Sequence, residues 1–190
     1  MADPFKILEP TVISFSGGRT SAYMLWRVLQ SNGGKLPKDA IVCFANTGKE
    51  MEETLEFVRD CETNWNVPIV WLEYTTHKTP KKRFKVVNFE TASRDGEPFA
   101  MSIDQNGKPY LPNPVARICT INLKIRVIDH YCKSIGWKHN EHMDWVGIRA
   151  DEPRRAAKID IARLPLVSDN ISAEHIGEFW KNNSFDLKLS

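Results

Sequence analysis

Apolar residues in the first third of the chain fall into short unbroken runs that alternate with stretches of helical spacing. Residues 12–16, 40–45 and 68–74 are continuous apolar or β-branched runs and are predicted as strands. Residues 20–31 and 50–65 carry apolar positions at helical spacing and are predicted as helices. Strands without polar alternation are covered on both faces, so this order predicts an α/β fold: three layers, doubly wound, around a mostly parallel sheet. The pattern breaks from 75 to 114 and then resumes. A helix is expected over 121–135 with Gly136 as its C-cap, and a strand over 142–148. A short strand or extended segment follows over 164–167, then a helix over 173–182 capped by Ser172.

Segments as long as 75–114 inside compact domains carry function or lack fixed structure. Here a hairpin-bearing insertion covering a site is expected, with turns at Asp95-Gly96 and Asn106-Gly107. It opens with the basic residues Lys78, Lys81, Lys82, Arg83 and Lys85, which read as a solvated face ahead of a phosphate or nucleic-acid contact.

Length changes the picture little: 190 residues make about one domain with a proper core. With 42% hydrophobic and 26% charged residues the chain is of the globular class. It has no apolar run long enough to span a membrane, and Met1-Ala2-Asp3-Pro4 opens no signal peptide. A cytoplasmic protein without a membrane partner is therefore expected. The net charge of +2 argues neither for nor against nucleic acid.

The chemistry concentrates after the first strand, at Ser16-Gly17-Gly18-Arg19-Thr20-Ser21. Glycines in such a turn admit positive φ and let a ligand approach the backbone. The helix start that follows supplies free N–H groups with the helix dipole behind them, which favours an anion. Ser16, Thr20 and Ser21 add hydroxyls, and Arg19 adds a planar cation suited to phosphate or sulfate oxygens. In open parallel sheets ligands sit at the carboxyl ends of strands. The Asn46-Thr47-Gly48 turn falls at that edge, as do Arg149, Asp151, Glu152, Arg154 and Arg155 after the strand over 142–148. Lys49, Lys124, Arg149 and Arg155 are further candidate anion contacts. Glu50 and Glu53 either complement the dipole at the start of the second helix or serve Mg²⁺ or ribose. His77, His130, His139, His142 and His175 show no ligand spacing, so no metal site is assigned.

Four cysteines form no CxxC pair. Cys43, Cys61 and Cys132 fall in step with apolar neighbours and are expected in the core. Cys119 lies between Arg117 and Lys124, where positive surroundings lower a thiol pKa. A site role and a buried structural role both remain open for it.

Together these segments resemble the PP-loop superfamily of adenine-nucleotide alpha-hydrolases and, within it, the phosphoadenylyl-sulfate (PAPS) reductase family, including its small phage-borne versions. Ser16–Ser21 is similar to the SGGxTS pyrophosphate loop, and Ala45–Thr54 to the DTGxxFxET segment. Arg117–Lys124 is similar to R-x-C-x-x-x-x-K, and Val146–Arg155 to G-x-R-x-x-E-x-x-R. All four stand in the family's order between residues 11 and 155, whereas the GxxxxGK[ST] P-loop is absent. The resemblance implies one PP-loop domain over 1–190. It implies nucleotide contacts from Ser16, Gly17, Gly18, Arg19, Thr20, Ser21, Asn46, Thr47, Gly48, Glu50, Arg117 and Arg155, and catalytic roles for Cys119, Lys124 and Arg149. The implied reaction is thiol-dependent reduction of 3′-phosphoadenylyl sulfate to sulfite, with a thioredoxin-type reductant as partner.

The chain also departs from that pattern. Related proteins continue into a cysteine-bearing tail, whereas Phe185-Asp186-Leu187-Lys188-Leu189-Ser190 carries none. On that reading the sequence is truncated or has lost what the tail does. One cysteine in place of the family's paired ones argues against an iron–sulfur cluster on this chain alone. Two alternatives follow: an ATP pyrophosphatase that adenylates a substrate for sulfur transfer, with Mg²⁺ as cofactor, and a non-catalytic nucleotide-binding module.

Overall fold

The computed structural model describes residues 3–104, 119–138 and 141–189. Its elements run β1 (Thr11–Phe15), α1 (Arg19–Ser31), β2 (Ala40–Asn46), α2 (Glu52–Asn64), β3 (Ile69–Glu73), β4 (Lys85–Val87) and α3 (Glu97–Ile103). They continue with α4 (Arg126–Ser134), β5 (Met143–Val146), α5 (Pro153–Ala156), α6 (Pro165–Ser168) and α7 (Ala173–Lys181). The strands form one sheet in the order β4-β3-β2-β1-β5, mostly parallel and flanked by helices, as the continuous apolar runs predict. No helix among the described residues is long and apolar enough to cross a membrane.

Two compact units divide the chain. The first gathers Met1–Val42, Glu53–Ile69 and His142–Ser190, and the second gathers Cys43–Glu52 and Val70–Glu141. In the first, β1 and β5 run parallel with Ser14 opposite Val146, so both chains leave the sheet at one edge. Val12, Ile13, Met24, Leu25 and Val28 are fully buried there. Phe57, Trp65, Trp180 and Phe185 form an aromatic cluster, with Phe57 and Trp180 edge to face at 5.1 Å. Ser172 and His175 cap α7 reciprocally, as the sequence predicts for Ser172. In the second unit Phe44 meets Trp71 edge to face at 5.0 Å, and Leu123 and Val127 are fully buried.

Two expectations need correction. Residues 164–167 are not extended: Pro165 opens α6, because proline costs nothing at a first helical position where the N–H has no intrahelical acceptor. The Asp95-Gly96 turn leads into a helix: Gly96, at φ 88°, is the N-cap of α3, with Pro98 in its first turn. The segment after β3 also supplies β4, antiparallel to β3 with Glu73 opposite Lys85. The helix expected over 121–135 begins as a π-helical stretch, Thr120–Ile125, before α4. Its end is as expected. Gly136 takes φ 93°, and the N–H groups of Trp137 and Gly136 reach back to the carbonyls of Cys132 and Lys133. Asn106-Gly107, Arg117 and His139 lie outside the described residues.

Candidate functional site

In the first unit the Ser16–Ser21 loop joins β1 to α1. Gly17 takes φ 79°, which an L side chain rarely adopts, so this turn requires glycine. Gly18 is the N-cap of α1 and offers no side-chain acceptor, leaving the first N–H groups of that helix without a capping partner. The loop is tied internally. The Ser16 N–H donates to Ser21 Oγ at 3.1 Å, the two hydroxyls lie 3.0 Å apart, and Ser21 donates to the Gly18 carbonyl at 2.9 Å. Ser21 is buried and Ser16 is exposed, so the first holds the loop and the second faces outward. Thr20 is half-buried.

β5 brings a second strand end to this loop. A Cβ on Gly147 would lie 3.2 Å from Ser21 Cα, so glycine allows that close approach. Two residues on, the Arg149 guanidinium donates to Asp151 Oδ1 at 2.9 Å and lies 3.7 Å from Glu152 Oε2. The bond to Asp151 raises the Arg149 pKa and lowers that of Asp151. Burial pushes the Glu152 carboxyl up, but the Arg149 N–H and the Arg155 guanidinium outweigh it and hold the group below its ordinary value. Arg155 donates to Glu152 and is otherwise exposed.

Arg19 also has a partner already. Its Nε donates to Asp186 Oδ1 at 2.7 Å and a terminal nitrogen donates to Asp186 Oδ2, a two-point contact with the C-terminal segment. Trp180 Nε1 donates to the Arg19 carbonyl at 3.1 Å, fixing the start of α1 against α7. All three first-unit cations predicted as anion contacts are thus paired with carboxylates. An anion drawing on the same nitrogens would exchange with those partners.

The second unit holds the Asn46-Thr47-Gly48 turn. Asn46 is fully buried and its amide is spent inside the turn. Nδ2 donates to Glu73 Oε1 at 2.7 Å and to the Ser93 carbonyl at 2.9 Å, while Oδ1 accepts from the Gly48 N–H at 3.0 Å. Gly48 takes φ 75°, and a Cβ there would fall 2.8 Å from Pro98 Cδ. Thr47 donates to Glu50 Oε1 at 3.0 Å, and Lys124 Nζ lies 3.5 Å from the same oxygen. Lys49 donates to the Asp95 carbonyl at 3.2 Å. Cys119 is half-buried just ahead of the π-helical stretch, whereas Cys43, Cys61 and Cys132 are buried as expected. Burial pushes the Cys61 thiol far up, so it stays protonated. Among the described residues no group of three His, Cys, Asp or Glu side chains is placed to hold a metal ion.

Sequence reasoning missed Glu73, Ser93 and Asp186, and read Lys85 only as one of a basic run. Glu73 is a fully buried carboxylate that also accepts from the Ser93 N–H at 2.6 Å and meets Lys85 Nζ at 3.0 Å. That contact raises the Lys85 pKa, helped by Glu97. A lone carboxylate closing the apolar run Ile69-Val70-Trp71-Leu72 was the readable signal. Asp186 has no local one.

No protein-family model matches the chain. It is similar to the uncharacterized nin region protein ORF290 of Escherichia phage lambda, 33% identical over 184 residues, 94% of this chain and 61% of that protein. It is also similar to the uncharacterized protein MJ0066 of Methanocaldococcus jannaschii, 40% identical over 67 residues, 35% of this chain and 13% of that protein. The chain thus spans less than two thirds of the length of either relative.

Proposed function

We propose that this chain binds an adenine nucleotide through the Ser16–Ser21 loop, on a doubly wound PP-loop architecture, and that the nucleotide is a sulfonucleotide of the 3′-phosphoadenylyl sulfate class. One observation carries the reading. A glycine at positive φ and a second glycine as N-cap leave the N–H groups at the start of α1 without side-chain acceptors, directly after a parallel strand. The hydroxyl of exposed Ser16 and the guanidinium of Arg19 add donors to the same loop. A phosphate oxygen displacing Asp186 from Arg19 exchanges one charge-assisted contact for another.

The reductive step is the finer part of the proposal. A thiolate attacks the sulfur, the sulfur–oxygen bond to phosphate breaks, and adenosine 3′,5′-bisphosphate leaves. One thiol of a thioredoxin-type dithiol then attacks the cysteine sulfur, breaking its bond to the sulfonate and releasing sulfite, and the second thiol resolves the mixed disulfide, returning the cysteine thiol and leaving the partner oxidised. Cys119 is the thiol this reading assigns on the chain, since Cys43, Cys61 and Cys132 are buried.

Calorimetric titration with 3′-phosphoadenylyl sulfate, adenosine 3′,5′-bisphosphate and Mg·ATP tests the assignment. Preference for the 3′-phosphorylated ligands supports it. Preference for Mg·ATP moves the function to adenylating sulfur transfer, and silence with all three refutes both.

A further inference from the structure

The basic run after β3 does not stay isolated in the fold. The turn Pro80–Lys82 packs against α4, and Phe84 meets Tyr131 edge to face at 6.0 Å. Lys78, Lys81 and Lys82 are exposed, Arg83 is half-buried, and Arg126 adds an exposed guanidinium from the start of α4. None of these five has a carboxylate partner among the described residues. Arg83 donates to the His77 carbonyl at 3.0 Å and Arg126 to the Asn122 side chain at 2.8 Å, and both acceptors are neutral. Nearby cations with partners are excluded from this set: Lys85 is held by Glu73, and Lys133 by Asp129 at 2.7 Å. Burial first, and then Lys133, Arg126 and Arg83 against the opposing Asp129, lower the pKa of His130 on α4.

We infer that this face of the second unit binds single-stranded nucleic acid. Five unneutralised cations on a chain of net charge +2 are a local excess that a polyanion would neutralise. The half-buried rings of Phe84 and Tyr131 sit among them, supplying flat apolar surface on which unpaired bases stack. An anionic membrane is the competing partner, since Ile125 and Ile135 are exposed at the two ends of α4, and the test below separates the two.

The test uses the full chain and a fluorescein-labelled 20-nucleotide oligo-deoxythymidine, followed by anisotropy at rising salt. If all five cations meet phosphates, binding falls about 100-fold between 50 and 200 mM salt, at a slope of about −0.7 per contact. The triple variant Lys78→Gln, Lys81→Gln, Lys82→Gln lowers the slope by about 2 and weakens binding at low salt. Phe84→Ala weakens binding without changing the slope. The control pair Lys35→Gln, Lys38→Gln, exposed in the first unit, leaves both quantities alone. Absence of binding at 50 mM salt overturns the inference, as does equal loss in the control pair. Tighter binding of a duplex of the same length, or of phosphatidylserine vesicles, overturns it in favour of that partner. None of these readouts involves the nucleotide site, so the two proposals stand or fall separately.

Discussion

Replacing Asp186 with Asn removes the carboxylate that Arg19 holds while keeping its shape. The pair is partly solvated, with the Arg19 and Asp186 side chains 48% and 31% exposed. Exposed pairs are worth about 0.2–1 kcal/mol, and the two-point geometry places this one toward the upper end. Asp186→Asn should therefore lower unfolding stability by about 0.5–1 kcal/mol. If a ligand phosphate must displace Asp186, the same change should tighten binding of adenosine 3′,5′-bisphosphate by about two- to fivefold. Arg19→Ala should do the opposite, since losing a charge-assisted contact costs about 1.5–3 kcal/mol, or roughly 10- to 150-fold in affinity. The decisive quantity is the double-mutant cycle by calorimetry: in an Arg19→Ala background, Asp186→Asn should change affinity by nothing measurable. A loss of affinity in Asp186→Asn alone, or the same gain with and without Arg19, would refute competition at this loop.

Gly48→Ala places a Cβ against Pro98 and Gly96 at a φ of 75°; combined strain and overlap should cost about 2–4 kcal/mol in urea unfolding. Glu73→Leu strands one of the two Asn46 amide hydrogens and the half-buried Ser93 N–H and should cost about 2–4 kcal/mol, with Glu73→Gln milder because it keeps one acceptor. Burial lowers the His130 pKa, with Lys133, Arg126 and Arg83 adding to it against the opposing pull of Asp129. The unfolded chain therefore takes up the proton first. Stability is full above about 6.5 and falls as pH drops below it, a slope that His130→Gln should flatten in melts between pH 5 and 7. A small disulfide reagent should modify Cys119 in the native protein and reach Cys43, Cys61 and Cys132 only on unfolding.

The alternating first third was legible because each strand there is a continuous apolar run, and burial on both faces is a property such a run carries by itself. β4 was not. Lys85-Val86-Val87 is too short to show a period, and its pairing comes from β3 across the sheet. α6 was missed for a related reason: a single helical turn has too few residues to show a period, so Pro165 at its start was the usable signal. The candidate site divides in the same way. Turn chemistry is local, so Gly17, Gly18 and Gly48 could be picked out from the residues beside them. Charge pairing is not, because Arg19 and Asp186 lie 167 residues apart and neither has a neighbour that announces the other. A list of cations around a glycine loop suggests an open positive pocket, whereas Arg19, Arg149 and Arg155 already share three carboxylates, Asp186, Asp151 and Glu152. If the proposed nucleotide binds there, the loop discriminates by exchange: a weakly charged ligand would gain too little to dislodge those carboxylates, and one carrying several phosphate or sulfate oxygens would gain enough. Affinity should therefore climb with the number of anionic groups on an adenosine ligand more steeply than at a site with unpaired cations. Adenosine, its 5′-monophosphate and its 3′,5′-bisphosphate make the series that measures it, and a flat response across them would show that the exchange does not occur.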